Sequence, residues 1–175
     1  RLVFVGRLVH QKGLDRIINL IKNIDGCHLT IIGDGPKRNF LESLVIDTQI
    51  ENKIAFIGYS GIANAYIAAA DYFLLPSRWE GLPNVGLESL ILGTPVITFT
   101  EISGLQDLIT LVPKNKLFLC ENEVEMEKLV SKLDVRADYA DPIIRNILLK
   151  KFNTPRAYAQ KIETIIKELI FENNS

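Results

Sequence analysis

The run Glu80-Gly81-Leu82-Pro83-Asn84-Val85-Gly86-Leu87-Glu88 sets two carboxylates on either side of a Gly/Pro/Asn turn. It follows Asp71-Tyr72-Phe73-Leu74-Leu75-Pro76, which reads as a buried strand, and leads into an apolar helix pattern from Leu87 to Leu92. A turn at such a place brings backbone N–H groups and a helix N-terminus towards an anion. Carboxylates beside it can grip the hydroxyls of a sugar. The chemistry this suits is that of a sugar attached to a phosphate. Two cations complete it. Gly6-Arg7-Leu8 stands where the first strand pattern ends, and Lys12-Gly13 opens the first helix pattern. Arginine offers a planar fork to phosphate oxygens and lysine a mobile point charge. Together they can neutralise a diphosphate, including the charge that grows as its bond to a sugar breaks.

Apolar runs and helical periodicities alternate along the chain and position these residues. Leu2-Val3-Phe4-Val5-Gly6 reads as a buried strand, after which Leu14, Ile17, Ile18, Ile21 and Ile24 recur at helical spacing. Leu29-Thr30-Ile31-Ile32-Gly33 is a second strand, with Phe40, Leu41, Leu44 and Val45 marking its helix. Ile54-Ala55-Phe56-Ile57-Gly58 is the third, followed by an Ala-rich helix from Ile62 to Ala70. The fourth strand spans 72–75, the fifth Pro95–Phe99 and a sixth Lys116–Leu119. From Val124 onward three helix patterns follow one another, the last with an apolar face of Tyr158, Ile162, Ile165, Ile166, Leu169 and Ile170. Continuous apolar strands separated by helices predict a parallel sheet covered on both faces. Right-handed crossovers make it doubly wound, an α/β fold of about six strands with extra C-terminal helices. Ligands of such folds bind outside the carboxyl ends of the strands. Gly6, Gly33 and Gly58 each end a strand there, where a ligand can come close to the backbone.

Composition sets limits. The chain has 175 residues, 47% hydrophobic and 23% charged, with a formal net charge of −1, which suits one domain with a continuous core. That balance has no basic excess of the kind that binds nucleic acid or anionic lipid. No apolar run reaches the roughly 18 residues of a membrane span. The chain opens directly on a strand pattern and without Met, so it reads as a fragment of a longer protein. Cys27 and Cys120 lie far apart and read as reduced thiols of a cytosolic protein, and ligand spacing for zinc is absent. Other phosphate and catalytic motifs fail. Gly33-Asp34-Gly35-Pro36-Lys37-Arg38 begins like a dinucleotide fingerprint, but Pro36 interrupts it and Arg38 fills the place of the third small residue. There is no Walker A sequence, no Gly-x-Ser-x-Gly elbow and no Asp-x-Asp for a metal-bridged diphosphate. His10 and His28 suggest no catalytic triad.

The chain resembles the C-terminal, donor-binding domain of the family 4 retaining glycosyltransferases, enzymes of two facing Rossmann-like domains (the GT-B type). The resemblance runs through Gly6-Arg7-Leu8 with Lys12-Gly13, Gly33-Asp34-Gly35-Pro36, Phe56-Ile57-Gly58-Tyr59, and Ala70-Asp71 with Leu75-Pro76-Ser77. It continues through Glu80 to Glu88 and Gly93-Thr94-Pro95-Val96-Ile97. It implies that Arg7 and Lys12 hold the donor diphosphate, Glu80 the donor sugar and Glu88 the nucleotide ribose. Gly6, Gly81 and Leu82 would line the same site. Backbone amides of Asn84, Val85 and Gly86 would complete the cradle, and the base would lie along Gly33-Asp34 and Gly58-Tyr59. No metal or cofactor is implied, because the nucleotide sugar is a substrate. The acceptor, a glycan or lipid-linked hydroxyl, would be held by an N-terminal domain outside this chain. A cytoplasmic enzyme, peripheral on the inner membrane through that domain, is the implied setting.

Four departures from the family pattern stand out. Ser89 replaces the usual Ala, and Tyr59-Ser60-Gly61 passes almost directly into the next helix. Ser103-Gly104-Leu105-Gln106-Asp107 has one glycine where the family has two and places Asp107 in the acidic position. Lys114-Asn115-Lys116 replaces a glycine before the sixth strand. The expected reaction is hexose transfer from a nucleotide diphosphate sugar, UDP-linked rather than GDP-linked, with retention at the anomeric carbon by front-face attack. Glu80 as a nucleophile is the alternative, and Glu80, Arg7 and Lys12 are the catalytic candidates. Two other readings remain at this point: a nucleotide-sugar-binding module inactive by itself, and a sugar-nucleotide epimerase of similar architecture.

Overall fold

Leu2–Val5 form β1, the first of six parallel strands in the computed structural model, which describes residues 1–81, 83–102 and 115–133. The others are β2 (Leu29–Ile32), β3 (Ile54–Gly58), β4 (Tyr72–Leu75), β5 (Val96–Phe99) and β6 (Leu117–Cys120). Between them run α1 (Leu14–Ile21), α2 (Arg38–Asp47), α3 (Ala63–Ala69) and α4 (Asn84–Ile91), and α5 (Glu123–Val130) follows β6. Among the described residues no helix is long and apolar enough to cross a membrane.

Successive side chains of a strand point to opposite faces, and the strands divide accordingly. Phe4, Ile31, Leu74, Ile97 and Phe99 join one buried cluster with Ile17 and Ile21 of α1, Leu41 and Val45 of α2, and Met126 of α5. Val3, Ile32, Phe73, Leu75 and Val96 join a second with Ile67 of α3 and Leu87 of α4. All residues of β4 and β5 are buried, as expected of strands covered on both faces. The exception is β3. Ala55 and Ile57 of this edge strand are exposed among the described residues.

The strand order is β3-β2-β1-β4-β5-β6. Connections run one way from β1 to β3 and the other way from β4 to β6, so the sheet is doubly wound as the apolar pattern predicts. The reversal falls between β1 and β4. At such a switch point the loops leaving the two strands diverge to opposite faces and open a crevice at the carboxyl edge. Those loops carry Arg7 to Gly13 and Pro76 to Pro83.

Several boundaries differ from the sequence pattern, most by a single residue. α1 begins at Leu14, and Lys12 ends a one-turn 3₁₀ helix, His10–Lys12, ahead of it. α4 begins at Asn84, where the resemblance sets the helix start and three residues ahead of the apolar pattern at Leu87, so more than half of the Glu80–Glu88 run is helical. The sixth strand is shifted by one residue, to Leu117–Cys120. Of the three C-terminal helix patterns, α5 is seen. The expected helices beyond it, with Tyr158 to Ile170, lie outside the described residues, as do Ser103 to Asp107 and Lys114.

Candidate active site

The two switch-point loops are sewn together by contacts between residues about 68 positions apart in sequence. Gly13 adopts φ +64° and packs so closely that a Cβ built on it would fall 2.1 Å from the Pro76 carbonyl oxygen. Arg78 N–H donates to the Gln11 carbonyl at 2.7 Å. Gln11 Nε2 returns a bond to the Trp79 carbonyl at 2.9 Å. The Arg78 guanidinium grips Asp15 through both nitrogens, at 2.9 and 2.6 Å, and also donates to the His10 carbonyl at 2.9 Å. The fork matches a carboxylate, so this contact fixes direction as well as distance. It holds the Asp15 carboxyl below the usual carboxylate range and raises the guanidinium further.

Inside this strap the two loops bring one mostly buried pair together. Lys12 Nζ forms an ion pair with Glu80 Oε1, and the Ser77 hydroxyl donates to the same oxygen at 2.8 Å. The side chains are 22% and 10% exposed, so neither is an ordinary solvated surface charge. Sequence assigns Lys12 to a diphosphate and Glu80 to a sugar as separate contacts. In the structure they touch, which sets the ammonium and the carboxylate side by side.

Arg7, on the same loop, is exposed and has no ion pair or side-chain hydrogen bond among the described residues. The two cations thus differ: Lys12 is committed and Arg7 is free. Glu88 lies in the second turn of α4, half-buried and without a cationic partner among the described residues. Its burial pushes the carboxyl above the ordinary glutamate range. The first intrahelical bond of α4 runs from Leu87 N–H to the Pro83 carbonyl at 3.2 Å. The amides of Asn84, Val85 and Gly86 therefore make up the free first turn. Gly81 is exposed just ahead of it, and Leu82 lies outside the described residues. Ser89 has a structural use: its buried hydroxyl donates to the Thr94 carbonyl at 2.9 Å, tying α4 to the entry of β5.

The remaining predicted residues line the same edge. Gly33 sits at φ +130°, where a Cβ would lie 2.0 Å from the Gly6 carbonyl oxygen, so β1 and β2 end in direct backbone contact. Leu8 N–H donates to the Asp34 carbonyl, while Asp34 Oδ1 accepts from Gly35 N–H at 2.7 Å. Gly33 N–H donates to the Gly58 carbonyl, and Tyr59 beyond it is 88% exposed, with an uncovered ring. Strands lie about 4.8 Å apart, so Tyr59 stands roughly three strand spacings, some 14 Å, from the end of β4. The edge is thus a track, with charged groups at β1/β4 and an open aromatic at β3. Among the described residues no three His, Cys, Asp or Glu side chains converge as a metal site.

Ser77, Arg78, Asp15 and Gln11 carry no role in the sequence reading. One signal was available. Ser77 and Glu80 stand three residues apart in Ser77-Arg78-Trp79-Glu80, close enough for a turn to bring their side chains together, as their hydrogen bond shows.

The family model described as "Glycosyl transferases group 1" matches residues 1–135. A lipopolysaccharide core biosynthesis glycosyltransferase of Rhizobium meliloti, LpsE, is 35% identical over 94 residues, 54% of this chain and 28% of that protein. The solved apo form of a lipopolysaccharide outer core galactosyltransferase, WaaB, superposes with a TM-score of 0.68 at 22% identity, covering 98% of this chain and 49% of its own. The Anabaena protein HepE in complex with UDP superposes with a TM-score of 0.69 at 19% identity, over 95% of this chain and 48% of its own. These structural likenesses establish the GT-B type of fold. The chain spans about half the length of the solved proteins and less of the curated relative.

Proposed function

Since this chain belongs to the group 1 glycosyl transferases, we propose that it is the donor-binding half of an enzyme moving a hexose from a nucleotide diphosphate sugar to a hydroxyl acceptor. Residues 1–175 form one nucleotide-sugar-binding domain, and a preceding domain takes the glycan or lipid-linked acceptor. The observation that carries this reading is the Lys12–Glu80 pair at the β1/β4 switch point, with Ser77 on the same carboxylate oxygen. It puts a phosphate-seeking cation and a hydroxyl-seeking carboxylate within one bond of each other, as the junction of a sugar and a diphosphate requires.

Arg7, exposed and unpaired, meets the diphosphate from the open side and Lys12 from within. The first-turn amides of α4 add their partial positive charge. Glu88 takes the ribose hydroxyls, which satisfy a half-buried carboxyl lacking a cationic partner among the described residues. The track of Gly33, Asp34, Gly58 and Tyr59 takes the base. Uridine is favoured over guanosine, and the UDP bound to HepE supports this choice. The relative's role in lipopolysaccharide core synthesis supports a glycan or lipopolysaccharide product. Retention follows from front-face attack guided by the leaving phosphate, in a site whose groups position the donor and stabilise charge. The reaction proceeds without a metal or cofactor, in the cytoplasm, with any membrane contact made by the acceptor domain.

The chain spans about half of its solved relatives, so it should bind donor weakly by itself and transfer nothing without the other half. Titration calorimetry of the folded chain with UDP and GDP tests this, and absence of heat with either refutes donor binding. Screening UDP- and GDP-hexoses with the full-length enzyme, with mass detection of product, tests transfer. Release of an epimer or free sugar without acceptor would move the assignment to an epimerase.

A further inference from the structure

We propose that Ser77 is a positioning residue, whose hydroxyl keeps the Glu80 carboxylate aimed when Lys12 engages the phosphates of the donor; the inference rests on the donor-binding reading above. Ser77 is completely buried, and a hydroxyl buried in a protein is costly unless it is hydrogen-bonded. Its bond goes to Glu80 Oε1 at 2.8 Å. Lys12 Nζ meets the same oxygen. Oε1 therefore carries both donors, and Oε2 has no partner among the described residues. The carboxylate is presented with one oxygen held and one open, and the open oxygen is the acceptor for a sugar hydroxyl.

The two donors differ in how they hold. Lys12 reaches Oε1 at the end of a flexible four-carbon stem, and an arriving diphosphate competes for its ammonium. Ser77 has no such rival. Its hydroxyl is closed to solvent, and the backbone on either side is fixed: the Pro76 carbonyl packs against Gly13, and Arg78 N–H is bonded to the Gln11 carbonyl. The terminal torsion of a glutamate is broad and roughly two-fold, so a carboxylate left with a mobile partner alone would turn. Ser77 is the contact that stays in place as the donor binds.

The test uses the full-length enzyme, the UDP- or GDP-hexose that the wild type turns over, and UDP or GDP as the matching sugar-free probe. Ser77→Ala removes one oxygen and adds no bulk. A lost charge-assisted hydrogen bond should lower kcat about tenfold, with nucleotide affinity changed by less than about twofold. In a Glu80→Ala background the same substitution should have no further effect on residual turnover, because a residue acting through Glu80 loses its object. Wild-type turnover in Ser77→Ala overturns the inference. So does an equal loss of nucleotide affinity, or a further tenfold fall on top of Glu80→Ala, since either marks a structural role. Wild-type enzyme that transfers no sugar from any donor overturns the function and this inference together, whereas active wild type with an indifferent Ser77→Ala overturns the inference alone. Melting curves of each variant confirm that folded protein is compared.

Discussion

Gly13 and the carbonyl of Pro76 are closer than any side chain permits: a Cβ at residue 13 would stand 2.1 Å from that oxygen. The residue also sits at φ +64°, in the left-handed region, where a Cβ adds strain. The contact sets the spacing between the loop holding Lys12 and the loop holding Glu80. Gly13→Ala must separate them, with loss of stability of about 2 kcal/mol or more. Urea unfolding of the chain measures this. In the full-length enzyme the same variant should lose turnover beyond what its stability explains, because the Lys12–Glu80 pair opens.

Arg7 is the exposed member of the two cations, and among the described residues its removal leaves no buried partner unsatisfied. Arg7→Ala should therefore fold with wild-type stability. Transfer by the full-length enzyme should fall at least tenfold, since a hydrogen bond to a charged group is worth roughly 1.5–3 kcal/mol. Paired thermal melts and steady-state kinetics check the two halves. Near-normal turnover would remove Arg7 from the diphosphate site.

The contrast between Arg7 and Lys12 also marks what sequence could convey. Tyr72–Leu75 and Leu2–Val5 are legible as buried strands because their apolar runs are uninterrupted. The strand order, with its reversal between β1 and β4, then places both loops on one edge. Which atoms meet there is another matter. Periodicity says which face a residue takes and nothing about a partner 68 positions away, so the Lys12–Glu80 and Gln11–Trp79 contacts could not be foreseen. Periodicity alone misses the start of α4, because Asn84 and Gly86 carry no apolar signal in its first turn, and there the family resemblance was the better guide. Ser77 was quoted as part of a motif, but the hydroxyl's direction depends on backbone fixed by Gly13 and Gln11.

The burial of Glu88 gives a pH dependence with a definite sign. Its carboxyl is pushed up by desolvation, so the fold favours the protonated form. The stability this contributes is fully present below the unfolded glutamate value, near about 4.3, and is lost as pH rises through the folded value. Glu88→Gln removes the penalty of the buried charge. At neutral pH the variant should melt higher than wild type, and the gap should close near pH 4. Calorimetric melts across that range measure it, and a pH-independent gap would contradict it. The same variant should bind UDP more weakly, because the amide presents one acceptor oxygen to the ribose instead of two.

Arg78 and Asp15 give the opposite slope. The hydrogen bonds from Arg78 are the largest cause of the lowered Asp15 carboxyl. The stability they supply is present above the unfolded aspartate value and lost as pH falls through the depressed folded one. The pair is partly exposed, at 23% for Arg78 and 31% for Asp15, so solvent screens it and the bidentate geometry carries most of its worth. Arg78→Ala should cost about 1–2 kcal/mol at neutral pH, measured by urea unfolding. That cost should shrink as pH falls below the ordinary aspartate value and through the depressed folded one, where wild-type Asp15 also becomes protonated. Because Arg78 braces the loop from outside while Ser77 acts from within, Arg78→Ala should raise the KM for the donor more than it lowers kcat. A kcat loss with unchanged KM would mean that the strap, too, acts on Glu80 itself.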